Sequence, residues 1–332
     1  MRIIALMNQK GGVGKTTTTV NLGAALAELG KRVCLIDLDP QAHLTINYGV
    51  EPNPKSTSLY DVLVNERPFV EAVHRVQEGN IALVPSSIDL AAAEIELVSI
   101  LGRETLLKRC LEAAKHDFEF ILLDCPPSLG LLTLNALAVA DEVIIPMQPH
   151  FFALQGVAKL LETVHLVCRR INPKLKVSGI ALTMFDSNTK LSMEVVAELQ
   201  NFIESAQGKP LPWANTVIFK SKIRRNIKLA ESPSFGQTIL TYGPTSNGAA
   251  DYRALGREVL SMSEPLPPLP EPEVVETAAV DSPAVELTIN PDIDPSKLAV
   301  ANVTLPEEPT AEPAAESPAE SVPAEVNEEA VA

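Results

Sequence analysis

The residues most clearly suited to chemistry are the glycines and the hydroxyl- or ammonium-bearing side chains at positions 10 to 17. Gly11, Gly12 and Gly14 let successive backbone N–H groups turn inward, where they can bind phosphate oxygens. Lys15 adds a positive charge suited to the β- and γ-phosphates of a nucleotide, and the Thr16 hydroxyl is suited to Mg²⁺. This spacing predicts a loop that binds ATP together with Mg²⁺.

Two carboxylates follow short apolar runs elsewhere in the chain. Asp39 lies in the segment Asp37-Leu38-Asp39-Pro40-Gln41, and Asp124 ends an apolar run that begins at Phe120. A carboxylate at the carboxyl end of a strand, beside a phosphate loop, is suited to orienting a water molecule or holding a metal ion. An alternative for Asp39 is that it only caps the turn that follows.

These groups must be positioned by strands that alternate with helices. The predicted strands are Ile3–Met7, Val33–Ile36, Ile81–Val84, Phe120–Leu123, Glu142–Pro146 and Val177–Thr183. Their apolar residues fill both faces, as strands of a parallel sheet require when helices cover both sides. Helical spacing of apolar residues predicts helices over Thr17–Leu29 and Leu154–Val167. The alternation predicts a doubly wound, mostly parallel α/β sheet with helices on both faces, as in P-loop NTPases.

The charge of the chain is unevenly distributed. The formal net charge is −15, but residues 264–332 contain 16 acidic residues and one lysine, so the preceding part carries 26 of each sign. The tail also holds 13 of the 27 prolines and no aromatic residue. We therefore predict an ATPase domain over residues 1–262 and an acidic, disordered tail over 263–332.

Cysteine and histidine spacing gives no sign of a metal centre. The four cysteines form no C-x-x-C pair, and Cys34 and Cys125 adjoin predicted strands, so structural buried thiols in a reducing compartment are expected. The five histidines show no metal-ligand spacing. No apolar run is long enough to span a membrane, and a cytoplasmic location is expected.

The phosphate loop resembles a specific variant of the P-loop. Its sequence is K-G-G-V-G-K-T-T, with Gln9 where the common pattern has glycine and with a second lysine, Lys10. This resembles the deviant Walker A motif of the ParA/MinD superfamily. The resemblance implies that Lys10 reaches the nucleotide of a second subunit in an ATP-dependent homodimer, and that Val13 and Thr17 also contact the nucleotide. A solvated loop lysine is the alternative.

Other segments are similar to the ParA/Soj-type partition ATPases. The D-x-D-P-Q match implies that Asp39 orients the attacking water and binds Mg²⁺ through water. Asp124 resembles a Walker B aspartate that holds Mg²⁺ through water, and Met184 lies in a T-M-[FY]-D segment near the adenine. Two departures are Arg224 where the family usually has proline, and Gln155 where it has glutamate in L-E-G.

The basic segment, Val217–Lys228, contains five basic residues and no acidic one. In the partition family this region binds DNA without sequence preference, which implies contacts from Lys222, Arg224, Arg225 and Lys228. Such phosphate contacts depend steeply on salt. The alternative is an ordinary solvated basic face.

The resemblance implies a slow ATPase that forms a DNA-bound dimer on the nucleoid and is stimulated by a ParB-like partner to segregate a chromosome or plasmid. Three alternatives remain. A MinD-type protein would bind a membrane, which the acidic tail opposes. A positioning ATPase could act on a protein cluster instead. An amide ligase could use the same scaffold, whereas a tyrosine autokinase is disfavoured because Tyr252 is the last tyrosine.

Overall fold

The computed structural model describes residues 1–51, 56–76, 80–112, 117–187 and 189–262. Within them, eight strands form one sheet in the order β3-β4-β2-β5-β1-β6-β7-β8. The strands are β1 (Arg2–Leu6), β2 (Val33–Asp37), β3 (His74–Arg75), β4 (Ile81–Val84), β5 (Phe120–Asp124), β6 (Glu142–Met147), β7 (Lys176–Leu182) and β8 (Val217–Ile218). Neighbours are parallel except β3 and β4, which are antiparallel. The predicted fold class is confirmed.

Helices connect the strands. They are α1 (Lys15–Glu28), α2 (His43–Asn47), α3 (Leu59–Leu63), α4 (Leu90–Glu96), α5 (Leu106–Leu111), α6 (Leu131–Val139), α7 (Ala153–Arg170), α8 (Lys190–Ala206), α9 (Ile227–Glu231), α10 (Ile239–Tyr242) and α11 (Asn247–Ser261). Short 3-10 helices cover Phe69–Ala72, Leu97–Ser99, Arg103–Thr105 and Ser232–Phe235. Both predicted helices are present, as α1 and α7.

The strands have the buried faces that the sequence predicted. Every residue of β2, β4 and β5 is buried, and alternate residues of β1 enter two separate cores. Ile3 and Ala5 pack with the side chains of α6 and α7, whereas Ile4 and Leu6 pack with those of α1 and α11. Helices therefore cover both faces of the sheet, and the apolar burial on each side holds the layers together.

Two short strands were missed by the sequence analysis. β3 and β8 have two residues each, so neither produces a recognisable apolar run. β8 lies beside β7 where the ring of Phe219 covers Gly179. A Cβ atom on Gly179 would lie 2.4 Å from that ring, so only glycine fits at this position.

The expectation of buried thiols is confirmed for Cys34 and Cys125, which are free and buried, whereas Cys110 and Cys168 are half-buried. Within the described residues, no group of histidine, cysteine and carboxylate side chains could hold a metal through at least three such ligands. In the same part of the chain, no helix is both long and apolar enough to cross a bilayer. The predicted tail and the domain boundary before it lie outside the described residues.

Candidate active site

The sheet register brings the important carboxylates to one edge. Asp37 ends β2 and pairs in register with Asp124 at the end of β5, which also pairs with Leu6 at the end of β1. The phosphate loop leaves β1 directly after Leu6 and enters α1 at Lys15. The loop and both aspartates therefore meet at the carboxyl edge of the sheet, where α/β folds bind their ligands.

The glycines of the loop adopt backbone conformations that other residues avoid. Gly12 and Gly14 have φ angles of 73° and 83°, in the left-handed region. Gly14 is the N-cap of α1, and its carbonyl accepts the first helical hydrogen bond from Thr18 N at 2.9 Å. The first turn of α1 contains no acidic residue, so its free N–H groups and helix dipole favour an anion.

Residues outside the motif hold this loop in place. Asn8 Nδ2 donates to Pro146 O at 2.8 Å, and Asn8 Oδ1 accepts from Lys10 N at 3.0 Å. Thr183 Oγ1 donates to Val13 O at 2.8 Å. These contacts tie the loop to the ends of β6 and β7. None of these contacts was predicted from the sequence, in which Asn8 was given no role and Thr183 was the end of a predicted strand.

Lys15 points into the site from the start of α1. The residue is only 8% exposed, and its Nζ lies 3.3 Å from Lys10 O. Burial lowers the pKa of Lys15, while the negative charges of Asp124 and Asp39 raise it. The ammonium group is therefore partly desolvated, and the negative charge of a bound phosphate would compensate for the hydration that it has lost.

Asp124 has the features of a metal-binding carboxylate. Its Oδ1 accepts from Thr19 Oγ1 at 3.0 Å, but its buried Oδ2 has no hydrogen-bond partner among the described residues. Burial raises its pKa to about 6, and the Thr16 and Thr19 hydroxyls and the charge of Lys15 oppose that rise. A buried, unpaired carboxylate oxygen is costly without a cation, so this site fits Mg²⁺.

Asp37 is a member of the site that the sequence analysis did not assign. Its Oδ2 accepts from Thr45 N at 2.9 Å and from Thr45 Oγ1 at 2.7 Å, and its Oδ1 accepts from Asp39 N at 3.1 Å. Burial and the nearby Asp124 raise the pKa of Asp37 to about 8. Asp37 thus fixes the backbone that carries Asp39. Its position in D-x-D, at the end of a buried strand, was the available signal.

Asp39 and Lys10 lie at the mouth of the site. Asp39 is half-buried, and its Oδ1 accepts from Gln41 N at 3.0 Å. Lys10 is exposed, and its Nζ contacts Nε2 of His150, which follows β6. The ammonium group of Lys10 therefore lies outside the pocket that Lys15 occupies. Their assigned roles toward water and a second subunit stay predictions.

Met184 lines a cavity at the same edge of the sheet. The cavity has a volume of about 660 Å³ between the ends of β6 and β7 and the start of α8. Gln148, Met184, Asp186, Ser192 and Arg225 are among its lining residues. Met184 has a φ angle of 46°, which is unusual for a residue with a side chain.

The basic segment has several different environments. The Arg224 guanidinium is paired with Asp251 of α11 (Nη2 to Oδ1, 2.6 Å), although its side chain is 51% exposed. Lys222 Nζ lies 4.3 Å from the centre of the Phe185 ring. Arg225 and Lys228 are exposed. The predicted DNA-binding residues are thus on one stretch of chain, but one of the four already has a carboxylate partner.

Comparisons with known proteins give a consistent result. Residues 1–177 match a family model described as an AAA domain. The chain is 45% identical over 258 residues to the sporulation initiation inhibitor protein Soj of Bacillus subtilis, covering 78% of this chain and 98% of Soj. It is 42% identical to the chromosome partitioning protein ParA of Myxococcus xanthus over 80% of this chain and 90% of that protein.

A similar solved structure is a Mycobacterium smegmatis protein named cobyrinic acid a,c-diamide synthase, with bound ADP and magnesium. It is 38% identical, has a TM-score of 0.66, and the match covers 78% of this chain and 94% of that one. The cell division ATPase MinD of Pyrococcus furiosus is 25% identical, with a TM-score of 0.64 and coverage of 79% and 99%.

Proposed function

Because the chain belongs to the ParA family of P-loop ATPases, we propose that it is a partition ATPase that acts as an ATP-dependent DNA-binding dimer. Its cofactors are ATP and Mg²⁺. The observation that carries the proposal is the pair of lysines in the loop. Lys15 is buried in its own site, whereas the Lys10 side chain is exposed and its ammonium group contacts His150. In a dimer, the Lys10 ammonium would lie beside a phosphate of the nucleotide bound to the second subunit and would stabilise its negative charge.

In this proposal, different residues bind the phosphates, hold the metal ion and position the attacking water. The loop amides and Lys15 bind the phosphates, and Thr16 and Asp124 hold Mg²⁺. When bound, Mg²⁺ neutralises charge on the phosphate oxygens. Asp39, fixed by Asp37, positions a water molecule whose oxygen bonds to the γ-phosphorus as the bond from phosphorus to the ADP oxygen breaks. The proton that this water loses ends on the phosphate that is released. Turnover is slow without a partner, because a dimer that must persist on DNA cannot hydrolyse its ATP at once.

Retention of DNA tests this function directly. The purified chain with MgATP should shift a random duplex at low salt, whereas the chain with MgADP should not. Asp39→Ala should bind ATP and DNA normally but fail to release phosphate, so its DNA complex should persist. Absence of any ATP-dependent shift in both proteins contradicts the proposal.

Dimerisation is tested separately by light scattering of the Asp39→Ala protein, which should not hydrolyse its bound ATP. That protein should double in mass with MgATP. Adding Lys10→Ala should leave nucleotide binding intact but return the mass to that of a monomer. A dimer that persists without Lys10 contradicts the assignment of this lysine to the second subunit.

Stimulation by a ParB-like protein from the same genome, in the presence of DNA, should raise the rate of phosphate release. The name of the mycobacterial structure makes an amide-forming synthase the second candidate. A small-molecule carboxylic acid and an ammonia donor that accelerate ATP turnover, with no effect of DNA, favour that candidate. ATP-driven sedimentation with anionic liposomes favours the MinD-like alternative.

A further inference from the structure

Helix α4 and the turns that flank it expose an apolar stripe. Ile88, Ala91, Ile95 and Val98 recur at helical spacing, and Leu101 follows them; we call these five residues the α4 stripe. All five are exposed, with Ile95 at 78% and Leu101 at 95%. Large exposed apolar side chains grouped on one short segment are typical of interaction sites.

The fold itself does not need the α4 stripe. On the opposite face lie Leu90 and Ala93 of α4 and Leu97, which begins the 3-10 helix that follows. All three are fully buried in the core with the side chains of α3 and α5. The helix is therefore already held to the sheet by one face. The exposed apolar face does not stabilise the isolated domain and lowers its solubility, which is consistent with a partner that covers it.

The loop before α4 is connected to the active site by hydrogen bonds. Ser86 N donates to Thr45 Oγ1 at 3.0 Å, and that hydroxyl donates to Asp37 Oδ2 at 2.7 Å. The other oxygen of Asp37 accepts from Asp39 N at 3.1 Å. Two side chains, those of Thr45 and Asp37, thus connect the loop before α4 to the backbone of the residue assigned to position water.

The middle of α4 contacts the segment that follows Asp124. Glu94 lies against Gly130, the N-cap of α6, so closely that a Cβ atom there would be 1.9 Å from Glu94 Oε1. This oxygen is buried and has no hydrogen-bond partner among the described residues. Its negative charge beside the amino end of α6 is favourable, and it makes the position of α4 depend on the position of the Asp124 loop.

We propose that the α4 stripe is the docking site for a basic amphipathic segment of the protein that stimulates hydrolysis. The proposal rests on the partition function proposed above. Asp89 and Glu96 are exposed beside the stripe, and Glu94 lies between them on the helix. A cation is also present: the Arg103 guanidinium, which is paired with Glu104, contacts Val98 O at the end of the stripe. An apolar stripe flanked by carboxylates complements a helix with apolar and basic faces.

The same charges disfavour other occupants. DNA and anionic lipid surfaces are repelled by the carboxylates. A basic partner docked here would act on Asp39 and on the Asp124 loop at once.

The test compares Ile95→Glu with Val70→Glu in the full chain. Val70, on the 3-10 helix Phe69–Ala72, is 73% exposed and is therefore a matched control for Ile95. Phosphate release is measured with ATP and DNA at increasing concentrations of the ParB-like protein. Neither variant should change the basal rate. Ile95→Glu should raise the half-maximal partner concentration about tenfold or more, whereas Val70→Glu should match the wild type.

A charge variant and a cross-linking variant extend the test. Asp89→Lys should weaken stimulation less than Ile95→Glu does, and its effect should shrink at high salt. A photoreactive benzoylphenylalanine at Leu101 should cross-link to the ParB-like protein, and the same group at Val70 should not. If Ile95→Glu melts at a lower temperature than the wild type, Ile95→Ala replaces it, with at least a threefold increase expected.

The possible failures are distinguishable. Equal stimulation of the wild type and of Ile95→Glu overturns the docking site while leaving the partition function standing. Cross-links from Leu101 to a second copy of the chain, with none to the partner, also overturn it. A wild-type chain that the partner and DNA do not stimulate contradicts the proposed function itself, and the docking site falls with it.

Discussion

The phosphate loop and the basic segment both concentrate positive charge, but the two regions hold it in opposite surroundings. Lys15 is buried at the start of α1, faces Asp124 and Asp39, and has a pKa that burial lowers. Arg225 and Lys228 lie on the surface, and Arg224, also exposed, is paired with Asp251. The phosphate loop has one buried charge, that of Lys15, in a defined geometry, whereas the basic segment has several charges in contact with water.

This difference determines how much each charge contributes. A desolvated ammonium group interacts strongly with the one ligand that fits the pocket, because the effective dielectric constant there is low. Exposed charges are screened by salt, so each adds a small and roughly equal amount to binding. A substitution of Lys15 should therefore abolish most ATP hydrolysis, whereas a single substitution in the basic segment should only weaken DNA binding.

The largest effect is expected for Lys15→Ala. Loss of this charge from the phosphate site should lower the rate of ATP hydrolysis about 100-fold or more. Lys31→Ala removes the same side chain from a surface ion pair with Glu119 and should leave hydrolysis unchanged. The measurement is phosphate release at saturating Mg²⁺. A comparable loss in both variants would show that burial does not distinguish these lysines.

A second prediction uses the buried carboxyl of Asp37. Its pKa is raised to about 8, so the folded protein holds a proton that the unfolded chain releases near pH 4. The stabilisation from this group is therefore complete at low pH and is lost as the pH rises to about 8. Between pH 5 and 8, the free energy of unfolding of the wild type relative to Asp37→Asn should fall by about 1 kcal/mol per pH unit.

This difference is measured by urea unfolding in EDTA without nucleotide, so that no ligand contributes. Asp89→Asn is the control, since the same substitution on the surface should leave the pH dependence of the wild type unchanged. A difference between wild type and Asp37→Asn that stays constant with pH contradicts the raised pKa of Asp37.

The comparison also explains what could be predicted from the sequence. The loop from Lys10 to Thr17 is contiguous, and its glycines and lysines have meaning from spacing alone, so its position between strand and helix was predicted correctly. The parallel sheet followed from apolar runs. Asp37 was assigned no role because the contacts of its carboxylate with Thr45 depend on how α2 folds back.

Long-range pairing was beyond the reach of the sequence. Arg224 and Asp251 are 27 positions apart, and they meet only because α11 packs beside the basic segment. The α4 stripe was missed for a different reason. Apolar residues are frequent on both faces of this segment, and only the structure shows which face is buried and which is exposed.

Arg224→Ala should have a moderate effect on stability. The substitution removes the guanidinium from Asp251, whose side chain is only 10% exposed and which then keeps, within the described residues, only the hydrogen bond that the backbone N–H of residue 224 donates to Oδ2 at 3.0 Å. Because the guanidinium itself is half exposed, the expected loss is about 1 to 2 kcal/mol in the free energy of unfolding. Arg225→Ala, at the exposed neighbouring position, should change stability by less than about 0.5 kcal/mol. Urea unfolding at neutral pH measures both, and equal losses would remove the distinction between the two arginines.

The smallest effect is expected for the exposed charges, and it concerns the slope of DNA binding with salt. If Arg225 contacts a DNA phosphate, Arg225→Gln should reduce the slope of log affinity against log salt by about 1, because one fewer counterion is released. Lys209→Gln removes an exposed charge outside the basic segment and should leave the slope unchanged. The measurement is fluorescence anisotropy of a labelled duplex with MgATP in the Asp39→Ala background, at several salt concentrations. Equal slopes for Arg225→Gln and Lys209→Gln would mean that Arg225 makes no contact with a DNA phosphate, because such a contact cannot be lost without changing this slope.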